Sequence, residues 1–171
     1  SRQGSNDIIV IEGLQSYNVI SEPVLPVQTI SILIPLGKKV CDIKAAALKI
    51  TELPDSYNLA IGQKAYPRGY AGERDTAELD SAISEMDTPW PSMYYRKAST
   101  QSKRGYQVLL LNLFPVQYIP NTGSVTYASR IHLEVFLENE SDSPIVKPAT
   151  RVKNELQKKV DNPSTIGSYS K

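Results

Sequence analysis

Residues 105–138 read Gly-Tyr-Gln-Val-Leu-Leu-Leu-Asn-Leu-Phe-Pro-Val-Gln-Tyr-Ile-Pro-Asn-Thr-Gly-Ser-Val-Thr-Tyr-Ala-Ser-Arg-Ile-His-Leu-Glu-Val-Phe-Leu-Glu. In the second half, Val125, Tyr127, Ile131, Leu133, Val135 and Leu137 share one parity, while Thr126, Arg130, His132, Glu134 and Glu138 share the other. That period of two is the signature of a strand with one buried face. In the first half, Val108 to Phe114 has no polar face apart from Asn112, which predicts a central strand covered on both sides. Between them, Pro120-Asn121-Thr122-Gly123 places a pre-set φ at the entry of a turn and glycine where a positive φ is needed.

Working outward toward the N-terminus, Val27 to Pro35 is dense in β-branched residues and predicts a strand. Leu36-Gly37-Lys38-Lys39 predicts a tight turn, and Val40 to Glu52 a strand, although Lys44 to Lys49 has helix propensity. Ile8 to Ile11 and Tyr17 to Ile20 flank Gly13 and read as a strand or bulged hairpin over about 7–20. Glu22-Pro23-Val24-Leu25-Pro26 removes two ladder donors and predicts an extended edge. The ten tyrosines suit strands whose rings pack inward while the hydroxyl finds a partner.

From Leu53 to Arg104 the character changes to prolines, glycines and mixed charge, with no long strand legible. A loop that long in a small domain is functional or disordered. Within it, Asp75-Thr76-Ala77-Glu78 matches a capping box, and Leu79, Ala82, Ile83 and Met86 follow at helical spacing, predicting a helix over 76–86. Trp90 to Tyr95 is aromatic enough to anchor the excursion back onto the sheet. After Glu138, Asn139 to Pro144 reads as an exposed linker. Thr150 then caps a basic helix over 151–160, with Val152, Leu156 and Val160 on one stripe and Asn162-Pro163 as its stop. Ser164 to Lys171 reads as a tether. The expected fold is therefore an all-β, antiparallel, jelly-roll-like sandwich over 1–138 with one long helix-bearing excursion over 53–104, followed by a linker and helix over 139–171.

The 171 residues suffice for one domain burying about 70% of its unfolded surface. With 19 basic and 18 acidic side chains the charge is +1, so no single-sign field points to nucleic acid or an anionic membrane. No apolar run approaches the roughly 18 residues that span a bilayer, and nothing in the composition argues against a monomer. Cys41 and His132 are the lone cysteine and histidine and could in principle form a nucleophile and base. Cys41 instead reads as a small core hydrophobe, and His132 as a residue of a polar strand face. The pair lacks metal-ligand spacing, and no phosphate loop or Gly-x-Ser-x-Gly elbow exists, so neither a cofactor nor a catalytic centre is expected. Glu73, Asp75, Glu78, Asp80, Glu85 and Asp87 lack calcium-loop spacing and read as a solvated face. The residues themselves thus describe a non-enzymatic β domain with a charged loop. A secreted binding module stacking Trp90, Tyr94 and Tyr95 on sugar rings, and a plain structural spacer, are the other readings open at this point.

Four pieces resemble the N-terminal propeptide of gingipain-type cysteine peptidases: Glu22-Pro23-Val24-Leu25-Pro26-Val27, Pro89-Trp90-Pro91-Ser92, Arg104-Gly105-Tyr106-Gln107-Val108, and Pro115-Val116-Gln117-Tyr118-Ile119-Pro120 with Gly123. The last two carry most of the weight. Val160-Asp161-Asn162-Pro163 with Tyr169 is similar to the run that leads into the family's catalytic domain. The resemblance implies a β-sandwich prodomain that assists folding of an exported, caspase-like cysteine peptidase encoded downstream and keeps it latent. It also implies a prodomain loop that lies along the active-site cleft and can place a basic side chain in the primary specificity pocket. Lys64, Arg68, Arg74, Arg96 and Lys97 are the candidates here, with Arg68 and Arg74 foremost because Pro67, Gly69 and Gly72 favour a protruding loop. Removal requires a cut, for which Arg151, Lys158, Lys159 and Lys171 are candidates in sequence expected to be mobile.

Overall fold

A computed structural model describes residues 2–3, 6–103, 105–140 and 150–169. In chain order the strands are β1 (Arg2–Gln3), β2 (Asn6–Asp7), β3 (Gln15–Tyr17), β4 (Leu25–Ile34) and β5 (Lys38–Glu52). A single-turn helix, α1 (Ser81–Ser84), precedes β6 (Tyr95–Lys103), β7 (Tyr106–Leu113), β8 (Val116–Ile119) and β9 (Ser124–Asn139). Helix α2 (Thr150–Gln157) and a 3-10 helix over Pro163–Tyr169 close the chain. Apart from the β1–β2 pair, the strands form two sheets in the orders β3-β4-β7-β6 and β5-β9-β8. The result is the expected all-β sandwich.

Two compact units divide the chain, the first from residues 1–28, 47–94 and 114–131, the second from 29–46, 95–113 and 132–171. In the first unit, Leu25 and Val27 of β4 share a core with Val116 and Tyr118 of β8, Val125 of β9, and Leu59, Trp90 and Phe114. Tyr17 meets the Phe114 ring edge-on, with centroids 5.0 Å apart. The β8–β9 hairpin pairs Ile119 with Ser124 and Val116 with Tyr127. Its turn works as expected: Gly123 sits at φ +71 and its N–H donates to Ile119 O at 2.8 Å. A β-carbon there would lie 2.2 Å from Ser56 Oγ, so both conformation and space require glycine.

In the second unit, β7 is covered on both faces, as its unbroken apolar run predicts. Leu109 and Leu111 pack with Ile34 of β4, Ile43 of β5, and Leu133 and Val135 of β9, which is the sheet-on-sheet core. The opposite parity, Tyr106, Val108 and Leu110, packs with Val152, Leu156, Val160, Ile166 and Tyr169. The expected stripe on the C-terminal helix is therefore real, and it covers the outer face of β7. This corrects the picture of a separate linker with a trailing tether from 164. Asp161 and Asn162 are more than a helix stop: Ser31 N donates to Asp161 Oδ2 at 2.7 Å, and Asp161 N donates to Ser31 O at 2.8 Å. Leu33 N donates to Asn162 Oδ1 at 2.7 Å, and Asn162 Nδ2 returns a bond to Leu33 O at 2.9 Å. One residue pair thus satisfies alternate backbone groups of β4 as a neighbouring strand would. Tyr169 completes the latch, its hydroxyl donating to Ile34 O and accepting from Gln107 N. Most of the expected linker, residues 141–149, lies outside the described residues.

Two further expectations are corrected. The excursion ends at Tyr94, because residues 95–103 form β6, paired with β7 from Tyr95↔Leu113 to Lys103↔Tyr106. Such a polar strand carries no hydrophobic alternation, and its backbone ladder alone defines it. Residues 7–20 hold only the short β2 and β3, separated by a turn in which Leu14 N donates to Ile11 O and Gly13 takes φ +82.

Candidate functional site

The excursion is held at its base by the first unit's backbone. Asp7 N donates to Asn58 O and Ala60 N to Asp7 O, and Val24 N donates to Ala60 O. Gly62 approaches the chain so closely that a β-carbon would lie 1.9 Å from Val19 O, and glycine is the residue that permits this. Ser21, at φ +64, ties both ends together: its N–H donates to Gly62 O, and its carbonyl accepts from Asp80 N. The chain between leaves and returns at one point, the anatomy of an Ω-loop packed by its own side chains.

The neck of this loop is a side chain bonded to a backbone. Gln63 Nε2 donates to Ala77 O at 2.9 Å, and Ala77 N donates to Gln63 Oε1 at 2.7 Å. These bonds compete with the expected capping box. With Asp75 as the cap, its carboxylate would accept from the N–H of Ala77 or Glu78, and Gln63 already holds the first of these. The helix forms later, as α1, capped by Asp80, whose Oδ1 accepts from Ala82 N at 2.8 Å. Ile83 and Met86 pack onto the core as their spacing predicts. Above the neck, Asp75 N donates to the Tyr66 hydroxyl at 3.0 Å, and the Tyr66 and Tyr70 rings stack with centroids 4.9 Å apart. At the tip Tyr70 N donates to Pro67 O at 3.1 Å, and Gly69 takes φ +88. This fits a type II turn with glycine third and Arg68 at its apex.

Lys64, Arg68 and Arg74 are all exposed and line one open groove of about 800 Å³, together with Asn18, Tyr66 and Asp75. Lys64 Nζ stands 5.5 Å from the centroid of the Tyr66 ring, a cation–π contact. The other two candidates are placed differently. Arg96 and Lys97 lie on β6 in the second unit, paired with Asn112 and Leu111 of β7. They are strand residues, not loop residues. Sequence reasoning singled out the cations and the glycines but missed Gln63 and Tyr66, whose partners Ala77 and Asp75 stand 14 and 9 residues away without any periodic signal.

Other residues singled out in the sequence fall elsewhere. Trp90 is 5% exposed and exchanges backbone hydrogen bonds with Tyr118, so it anchors the excursion and offers no face to a sugar. Tyr95 donates its hydroxyl to Ile43 O at 2.7 Å. Gln117, buried behind the Pro89-Trp90-Pro91 lead-in, donates to Pro91 O at 2.7 Å. Cys41 is exposed on β5, not in the core, and the residues of that stretch that join the apolar cluster are Val40 and Ile43. His132 Nε2 stands 3.7 Å from Glu134 Oε1 on β9. Among the described residues no group of three or more His, Cys, Asp or Glu could hold a metal ion, and no helix is long and apolar enough to cross a membrane.

The processing candidates are firmly held where they are described. Lys158 and Lys159 lie between Leu156 and Val160, both buried, and Lys159 pairs with Glu155 at 2.9 Å. Arg151 belongs to α2, and Lys171 lies outside the described residues. Burial pushes the Tyr169 phenol above its usual pKa, with the nearby Tyr106 and Glu140 adding to the rise and the bond from Gln107 opposing it. Tyr118 is raised mainly by burial as well.

The fold and the groove define a class: a two-sheet β-sandwich presenting one closed, cationic Ω-loop. No protein-family model matches the chain, and no curated protein matches it. Among solved structures, it is similar to a chain of the complex of Porphyromonas gingivalis RgpB pro- and mature domains, at 15% identity and a TM-score of 0.63, over 87% of this chain and 76% of that one. It is also similar to a structure addressing the zymogenic latency of gingipain K from Porphyromonas gingivalis, at 17% identity and a TM-score of 0.53, over 74% of this chain and 71% of that one. The chain shares its fold with these two structures.

Proposed function

We propose that this chain is the propeptide of a gingipain-like cysteine endopeptidase, covering the active-site cleft of the exported precursor's downstream catalytic domain until it is cut away. The observation that carries this reading is the closed loop over 63–77, which holds Arg68 at a turn apex beside Lys64 and Arg74. The likeness to a complex of pro- and mature domains supports the same partner. A loop docked in a cleft inhibits when its contacts outweigh the cost of docking and its peptide bond stays out of attack geometry. A pre-closed loop lowers the first cost, because its side chains are already ordered before binding. Arg68 is the residue proposed for the primary specificity pocket, with Lys64 and Arg74 on the cleft walls.

The release cut is proposed on the Lys171 side of Tyr169, not at Arg151, Lys158 or Lys159. An endopeptidase needs several residues drawn out of the fold. Around Lys158 and Lys159 that means extracting Leu156 and Val160 from the core. Amino-terminal sequencing of a maturing precursor checks this, and cuts confined to Lys158 or Lys159 refute it. Assistance in folding is tested by refolding the catalytic domain with and without this chain and comparing recovered activity.

The deciding experiment titrates the chain into the separately expressed catalytic domain while hydrolysis of a small peptide is followed. Saturable inhibition near one-to-one stoichiometry is expected. An active enzyme that shows no inhibition overturns the reading.

A further inference from the structure

By its sequence, the loop tip is a place where an endopeptidase should cut. Arg68-Gly69 is a basic bond at the tip of an exposed loop, where nicking concentrates, and a propeptide cut there would lose its hold. Resting on the latency role proposed above, we infer that the loop is built to be bound without being cut, and that Gln63 and Tyr66 are the positioning residues that keep it so.

A peptide bond is cleaved when its carbonyl carbon is presented in line with the nucleophile, which for an endopeptidase means a segment drawn out as an extended strand. Here Gly69 stands at φ +88, far from any extended conformation, and the turn is closed by Tyr70 N on Pro67 O. The Tyr66–Tyr70 stack clamps the two shoulders of that turn. Tyr66 is held in turn by Asp75 N, and the Gln63–Ala77 pair closes the neck below. Drawing residues 66–71 into a strand breaks the turn bond, the stack and the Tyr66 bond, and it pulls against the neck. The Arg68 side chain still projects from the apex throughout, so binding does not require opening. Tyr70 also lies back over the loop, its hydroxyl 2.5 Å from where a Gly72 β-carbon would stand. Glycine at 72 makes room for the clamp.

The test uses bovine trypsin as a general basic-site endopeptidase, applied to the whole chain, with fragments identified by mass. The parent should be cut between Arg68 and Gly69 slowly. The double variant Gln63→Ala/Tyr66→Ala should be cut there at least about tenfold faster, with cutting at basic bonds outside residues 63–77 unchanged, since the three hydrogen bonds lost with these side chains, each of ordinary strength, are enough for that factor. Tyr66→Phe, which keeps the ring stack and loses the hydroxyl, should fall between them. If the double variant is cut everywhere because it does not fold, Gln63→Ala alone, at an exposed position outside the core, decides the same question. A parent nicked at Arg68 as fast as the variants, or variants as resistant as the parent, overturns the inference. A parent that resists trypsin but fails to inhibit its own peptidase supports loop closure and refutes latency. A parent that inhibits yet is nicked at Arg68 refutes closure alone.

Discussion

Replacing Asn162 by alanine removes the side chain that stands in for a strand along part of β4. Three bonds are lost: Leu33 N to Oδ1, Nδ2 to Leu33 O, and Nδ2 to Thr165 Oγ1 at 3.0 Å. The first two leave both backbone groups of Leu33 without partners in a residue of zero exposure. A buried polar group stripped of its partner costs about 1–3 kcal/mol. Two such groups, at a site that water can partly reach, should therefore cost about 2–4 kcal/mol. Asn162→Asp is the sharper probe. The introduced carboxylate can still accept from Leu33 N, but its second oxygen faces the Leu33 carbonyl and repels it. Its folded-state pKa is therefore raised above the unfolded value, the native state binds more protons, and its deficit should shrink as pH falls through the folded pKa. Urea unfolding followed by circular dichroism, for parent and both variants from pH 7 down to pH 4, measures this. Asn162→Ala within about 0.5 kcal/mol of the parent, or an Asn162→Asp deficit independent of pH, refutes the strand-mimic account. The same variants should admit trypsin at Lys158 and Lys159, because the bonds beside these residues are protected only by the docked segment.

Arg68→Ala should weaken inhibition of the downstream peptidase by about 2–4 kcal/mol, or roughly 30- to 1000-fold in the inhibition constant. Arg96→Ala and Lys97→Ala, on β6, should stay within about threefold of the parent. Tyr118 and Tyr169 hold their protons above the ordinary tyrosine value of 10.0 in the folded chain. The native state therefore binds more protons than the unfolded state above about pH 10. Urea midpoints should be level with respect to these two groups up to that pH and fall beyond it, and midpoints that rise there refute the assignment. Gly123→Ala should lower stability by at least about 1–2 kcal/mol, from the left-handed φ alone, and more if Ser56 cannot move aside. Thermal unfolding of the two proteins reads this directly.

The likeness of the β7-to-β9 region to a sandwich core was readable because each of its signals is local. An alternating strand betrays itself by parity, a doubly covered strand by the loss of parity, and a left-handed turn by its glycine. The same locality made Arg68 readable as a protruding cation, since Pro67 and Gly69 sit beside it. It failed for β6, which the excursion was expected to contain as loop. Tyr95 to Lys103 is polar on both faces, and only its ladder with β7 makes it a strand. It failed again for the 76–86 helix, where the capping residues are correct in isolation but the Ala77 donor is taken by a glutamine across the loop neck.

The C-terminal segment shows the division most clearly. Val152, Leu156 and Val160 announce an amphipathic stripe through their spacing, because helix geometry alone puts them on one face. What that face meets is a matter of distant partners, and here it is the outer surface of β7, with Ile166 and Tyr169 completing the cover. Asn162-Pro163 reads as an ordinary helix stop, with Asp161 just before it. Asp161 and Asn162 become a substitute strand only because folding brings them against β4, some 130 residues earlier in the chain. Periodicity and turn chemistry depend on neighbours within a few residues and are written into the sequence. Which face is covered, and which donor is already taken, depends on contacts across the whole fold, and there the tertiary structure decides.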